Sequence, residues 1–123
     1  MPVFLVRKEY FEALERGSKK AEIRLGKIWL RIAEKIKSGR LKPIAIFKCG
    51  NRRIIARIDR IEIYPTLKAA LRNKRWKKLG LMALSYKAAV NEVRKLYRHS
   101  STRPAIIFWI TRQCRREETC SQE

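Results

Sequence analysis

The stretch Arg52 to Tyr64 is apolar at every second position, but the phase breaks partway along. Ile54, Ala56 and Ile58 share one parity, whereas Ile61 and Ile63 share the other. A strand with period two exposes one face throughout, so a parity switch near Asp59-Arg60 predicts a β-bulge or the corner of a barrel. A bent strand of this length cannot lie in a flat, doubly wound sheet. Pro43 to Lys48 precedes it as a shorter strand, and Cys49-Gly50-Asn51 supplies the turn of a hairpin.

The flanking segments fit the same picture. Met1 to Val6 is a short apolar run, expected as a buried strand. Tyr10, Phe11 and Leu14 recur at helical spacing before Gly17, which stops the helix. In Lys19 to Leu25, Ala21, Ile23 and Leu25 alternate with Lys20, Glu22 and Arg24, which predicts a half-buried strand. Trp29, Ile32, Ala33 and Ile36 mark an amphipathic helix from about Lys27 to Lys37, ended by Ser38-Gly39. Pro65-Thr66 caps a short helix through Leu67, Ala70 and Leu71. Tyr86, Ala89, Val90, Val93, Leu96 and Tyr97 stripe a longer helix, and Ala105 to Ile110 is a wholly apolar central strand. The order β-α-β-α-β-β-α-α-β predicts an α+β fold, a small mixed barrel of about five to six strands with helices inserted between them. Residues 1–111 form that domain, and 112–123 read as a polar C-terminal tail.

Charge constrains the partner. Lys and Arg total 31 against 11 Asp and Glu, a formal charge of +20 on 123 residues. Such an excess repels itself, so it is explained by a partner that brings negative charge, most commonly nucleic acid. An acidic membrane would ask for a polybasic tail or a basic helix beside an anchor. Here the cations run along the whole chain. No run of about 18 apolar residues exists to span a membrane, and Met1 to Val6 lacks the form of a signal peptide, so a cytoplasmic location is expected.

The cysteines are odd in number. Cys49 is expected to be semi-buried, and Cys114 and Cys120 to be idle thiols in the tail. With His99, their spacings match no zinc motif, so no metal and no cofactor are expected. His99 reads as a surface residue.

Gly17-Ser18-Lys19-Lys20-Ala21-Glu22-Ile23-Arg24 resembles the signature of ASCH domains, G-x-K-[TK]-x-E-x-R, a branch of the PUA-like barrels. Ile36-Lys37-Ser38-Gly39-Arg40 is similar to the I-x-x-G-D that follows in the family, with arginine in place of the acid. Ile61-Glu62-Ile63-Tyr64-Pro65-Thr66 is similar to I-x-x-Y-x-[ST], and Lys78-Leu79-Gly80 to a later leucine-glycine. The resemblance implies one of two activities. Some members look like amide hydrolases acting on acetylated cytidine or like ribonucleases; others of the wider fold bind folded RNA. The hydrolase type is thought to use the motif lysine, a hydroxyl residue three positions on, and an acid after the long strand. The first position is Lys19. The second holds Glu22, and Asn73 to Gly80 contains no acid. The set is incomplete for general acid–base work, so no catalytic residue is assigned.

The expected function is therefore binding of structured RNA through broad phosphate contact, in a ribosomal or ribosome-associated protein. Ribosomal RNA is the expected partner, with neighbouring ribosomal proteins as further candidates. The alternative is an ASCH-type hydrolase centred on Lys19. The expected RNA contacts are Lys19, Lys20, Arg24, Lys27, Arg31, Arg52, Arg53, Lys74, Arg75, Lys77, Lys78, Arg112, Arg115 and Arg116. Glu22 would orient Arg24, and Lys19→Ala would weaken RNA binding while leaving the fold intact. Within the basic block, Trp76 either packs on the core or stacks on a base. Trp29, Tyr86, Tyr97 and Trp109 are expected in the core.

Overall fold

The computed structural model describes residues 1–98 and 103–121. His99 lies outside them. The elements in chain order are β1 (Val3–Leu5), α1 (Lys8–Arg16), β2 (Ala21–Leu25), α2 (Lys27–Lys37), β3 (Ile44–Cys49), β4 (Arg52–Tyr64), α3 (Leu67–Leu71), a 3-10 turn (Arg75–Lys78), α4 (Tyr86–Leu96), β5 (Ala105–Cys114) and α5 (Glu117–Ser121). The strands form one five-stranded sheet in the order β1-β3-β4-β5-β2, curled into a half-barrel. Only the β1–β3 pair is parallel.

The parity switch in β4 is a bulge. Ile58 pairs with Ile110 and Arg60 with Trp109, which leaves Asp59 without a partner in the ladder. The extra residue lets Ala56, Ile58 and Ile61 all reach the same core, although Ile61 is three positions from Ile58.

That core fills the concave side of the sheet, where Phe4, Leu14, Ala33, Phe47, Ile58 and Phe108 meet under α2. A second core lies on the other side of β5 and β2, beneath α3 and α4. Strand β5 therefore serves both: Ala105 and Ile107 point to one core, Ile106 and Phe108 to the other. A strand covered on both faces has no polar side, which is why its sequence is an unbroken apolar run.

Two strands depart from the sequence-based expectation. In β1 only Phe4 is fully buried, while Val3 and Leu5 are exposed, because β1 is an edge strand covered on one face. In β2 the charged parity is not a solvated face. Glu22 is buried, because the curl of the sheet turns that face toward the barrel interior.

The C-terminal segment departs further. Strand β5 runs past Thr111 to Cys114, a short turn follows, and α5 returns. Cys114 and Cys120 are joined in a disulfide rather than idle. Cys120 is fully buried against Ile44 and Ile55, and its carbonyl accepts a hydrogen bond from Arg57 at 3.0 Å. Cys49 is half-buried and free, as expected. Among the described residues no helix is long and apolar enough to cross a membrane, and no cluster of His, Cys, Asp and Glu is placed to hold a metal ion.

Candidate functional site

Helix α1 ends on Gly17 in the left-handed conformation, φ 78°. The chain then folds back so that the Ala13 carbonyl accepts from the amides of Ser18 and Lys19, at 3.0 and 3.1 Å. This stop turns the Lys19 side chain inward, under the segment Lys78-Leu79-Gly80. The Lys20 amide donates to the Lys78 carbonyl at 2.7 Å, which clamps the two segments together. Gly80, at φ 69°, has no room for a side chain: a Cβ there would lie 2.8 Å from the Lys19 Cβ. The close approach of backbone to Lys19 is what glycine permits at this position.

The Lys19 ammonium belongs to a residue only 5% exposed and donates to three acceptors. These are the carbonyls of Ala21 (2.8 Å) and Leu79 (2.7 Å) and Glu22 Oε1 (2.8 Å). All three of its protons are thus committed. The other Glu22 oxygen, Oε2, accepts from Arg24 Nε at 2.9 Å and from an Arg24 terminal nitrogen at 2.7 Å. The sequence-based expectation that Glu22 orients Arg24 matches this geometry.

Arg24 reaches further. Its terminal nitrogen also donates to the Leu5 carbonyl at 2.9 Å, and its guanidinium lies 5.2 Å from the ring of Phe4, 5.1 Å from Trp29 and 5.6 Å from Tyr97. Strands β1 and β2 are the two edges of the sheet. Arg24 therefore bridges the gap that backbone pairing leaves open, seated among aromatic faces that favour a cation.

Burial alone would raise the Glu22 carboxyl; the Lys19 and Arg24 charges and hydrogen bonds outweigh it and hold the group below its ordinary value of 4.5. A carboxyl with a depressed folded-state value contributes stability above pH 4.5 that is lost as pH falls through the folded value. The stability gap between the wild type and Glu22→Gln is accordingly expected to be constant from neutral pH down to about 5 and to shrink on further acidification. Urea midpoints across that range check it; a gap that widens in acid contradicts it.

A cavity of about 120 Å³ opens beside this triad, lined by Tyr10, Lys19, Glu22, Leu79, Leu81 and Tyr97 among others. Tyr97 donates to the Ile23 carbonyl at 3.1 Å, and burial pushes its phenol well above the ordinary range. Tyr10 is raised too, by burial and then by its hydrogen bond to Glu92 Oε2 at 2.7 Å. Glu92, on α4, also accepts from the amides of Met82 (2.9 Å) and Ala83 (2.8 Å), which fixes the loop that roofs the cavity.

The expected RNA contacts divide by burial. Lys19 and Arg24 belong to the buried triad, and a phosphate would have to displace an existing bond to reach either. Arg75 is also committed: it donates to the carbonyls of Ala70 (2.8 Å) and Ala69 (2.7 Å), closing the end of α3, and lies 4.5 Å from the Tyr64 ring. Lys20, Lys27, Arg31, Arg53, Lys74, Lys77 and Lys78 are exposed. Arg52 is exposed and paired with Glu15 at 2.6 Å. Arg112 stands opposite Arg57 in the β4–β5 ladder, and Arg115 and Arg116 are exposed in the turn before α5. The Lys20 amide bond brings the motif loop beside the Lys74–Lys78 block. Trp29, Tyr86, Tyr97 and Trp109 each pack against a core but are only half-buried. Trp76 does the same.

Nothing in the sequence marks Tyr10 and Glu92 as site residues. Tyr10 sits on the apolar stripe of α1, so its hydroxyl gave no signal. Glu92 looks like any exposed helix carboxylate until the loop it holds is seen.

No family model matches this chain, and no curated protein matches it. Similar solved structures include the following two. One is hypothetical protein PH0355, with a TM-score of 0.63 and 22% identity, covering 89% of this chain and 97% of that one. The other is protein PF0455 from Pyrococcus furiosus, with a TM-score of 0.55 and 17% identity, covering 89% and 94%. At these identities the likeness is one of fold alone.

Proposed function

We propose that this protein binds structured RNA through broad contact with the phosphate backbone, and that it works in or beside the ribosome, in contact with ribosomal RNA. The ASCH resemblance of Gly17 to Arg24 belongs to the same reading. The observation that carries it is the uncompensated surface charge. Of the +20 formal charge, the cations at Lys20, Lys27, Arg31, Lys74 and Lys78 are exposed and have no carboxylate partner among the described residues. Lys48 and Arg53 are cross-strand neighbours, both exposed, a like-charge pairing that disfavours the sheet. Charge set against the fold in this way is explained by a polyanion that neutralises it.

The burial of Lys19 supports binding over hydrolysis. A lysine whose protons are held by Glu22 and two carbonyls is a poor general base or nucleophile. The cavity beside it, with Tyr10 and Tyr97 in its wall, is the feature among the described residues that favours the ASCH-type hydrolase. Hydrolysis of acetylated cytidine, or RNA cleavage by the unaltered protein, would decide for that alternative.

The basic block gives the direct test. Changing Lys74, Lys77 and Lys78 together to Ala is expected to weaken RNA binding at least about tenfold, because every phosphate left unneutralised keeps its condensed counterion and forfeits the entropy of releasing it. Arg75 is left in place because it closes α3. The melting temperature should hold or rise, because self-repulsion is relieved. Unchanged RNA affinity in the triple variant would show that this block does not face the RNA.

A further inference from the structure

Between α3, the 3-10 turn and α4 lies an open groove of about 560 Å³, lined by Lys68, Arg72, Asn73, Lys74, Trp76 and Tyr86. It is separate from the cavity beside Lys19. Three of its six lining residues are cations, all exposed and without carboxylate partners among the described residues. The two aromatics are half-buried, packed on the core, and make no ring contact with each other. Lys77 Nζ lies 5.6 Å from the centre of the Trp76 ring and covers part of it; the ring surface that remains, with that of Tyr86, lines the groove.

The groove is also held in shape. Tyr86 donates from its hydroxyl to the Lys68 carbonyl at 2.9 Å, tying α4 to α3 and fixing the ring. Arg75 ties the turn to the end of α3 through the Ala69 and Ala70 carbonyls. Asn73 and Lys74 are both left-handed, at φ 55° and 62°. That conformation is uncommon for residues other than glycine, and unusual for a lysine, and it is retained where surrounding structure enforces it. A preformed groove loses less freedom on binding than a flexible one.

Aromatic faces within a rim of cations match a particular ligand. Duplex RNA offers phosphates, but its bases are stacked on one another and their faces are closed to side chains. An unpaired nucleotide offers both a phosphate and an open base face. From these features we infer that the groove takes an unpaired nucleotide of the bound RNA, with its base against Trp76 or Tyr86 and its flanking phosphates on Lys68, Arg72 and Lys74. This rests on the RNA-binding reading above and adds to it a preference for single-stranded segments, such as loops or bulges, at one place on the surface.

The test compares three probes of equal backbone length at one low salt concentration: a uridine-rich single strand of about eight nucleotides, the same strand annealed to its complement, and an abasic strand. The wild type is expected to bind the single strand on the order of tenfold more tightly than the abasic strand. Trp76→Leu and Tyr86→Leu keep an apolar side chain for the core but remove the ring face; Tyr86→Leu also removes the hydroxyl bond to the Lys68 carbonyl, so Tyr86→Phe, which loses the same bond and keeps the ring, is its control and should retain the preference. At least one of the two leucine variants should abolish that preference while leaving duplex affinity within about twofold. Retention of the preference in both leucine variants, or an equal loss on all three probes, overturns the inference. Binding of all probes by the wild type with no preference also overturns it, while the RNA-binding reading stands. Binding of none of them overturns both. Should a leucine variant fail to fold, a 4-thiouridine strand crosslinked to the unaltered protein reads the same contact. Crosslinks at Trp76 or Tyr86 support the groove, and crosslinks confined to other elements reject it.

Discussion

RNA affinity is expected to fall by roughly four orders of magnitude between about 50 and 200 mM salt, measured on a structured RNA. The size follows from the number of phosphates neutralised. Each neutralised phosphate releases a condensed counterion, so log K falls with log salt at about −0.7 to −0.9 per phosphate. Roughly eight phosphates give a slope near −6 to −7. Eight is reasonable for this surface, because exposed cations are supplied by the motif loop (Lys20), α2 (Lys27, Arg31), β4 (Arg53), the basic block (Lys74, Lys77, Lys78) and the turn before α5 (Arg115, Arg116). Arg52 contributes less, since Glu15 already sits against it. Lys19, Arg24 and Arg75 contribute little, because their donors are engaged inside the fold. A measured slope shallower than about −2 would mean that only a few of these cations meet phosphate, and broad backbone contact would have to be abandoned.

The division between free and committed cations was not legible in the sequence. The parity switch in β4 could be read, because isoleucines mark both sides of the bulge. Helices α2 and α4 could be read as well, because each carries a full apolar stripe. The burial of Lys19, Glu22 and Arg24 could not. Alternating charges along a strand look like a solvated face. Only the closure of the barrel brings the Leu79 carbonyl, sixty residues away in sequence, onto Lys19, and the Phe4, Trp29 and Tyr97 rings around Arg24. Nor could α5 be foreseen. It is five residues long, too short to show a period, and the side chain that anchors it is the buried Cys120. In each case the missing information is a long-range contact, which no local pattern encodes.

Glu22→Gln is expected to destabilise the protein by about 3 to 5 kcal/mol, because it leaves two cations in the interior without their countercharge. Glu22 is 4% exposed and Lys19 5%, so water cannot take over the missing interaction. For a domain of this length the loss corresponds to a fall in melting temperature on the order of 10 °C or more. Lys19→Ala should be destabilising as well. It strips a donor from the Leu79 and Ala21 carbonyls and leaves Glu22 with Arg24 alone, which corrects the expectation that this change would touch RNA affinity only. The double variant Lys19→Met with Glu22→Gln removes one cation together with the carboxylate. It should melt higher than the sum of the two single losses predicts, with a coupling of about 1 to 3 kcal/mol in the cycle. Arg24 stays behind in that variant, still bonded to the Leu5 carbonyl and seated on the aromatic rings, so recovery should be partial. Thermal denaturation of the four proteins at neutral pH measures each quantity. A Glu22→Gln protein melting within about 2 °C of the wild type would show that these charges are solvated rather than buried, since a loss of about 1 kcal/mol alone shifts a domain this size by more than that.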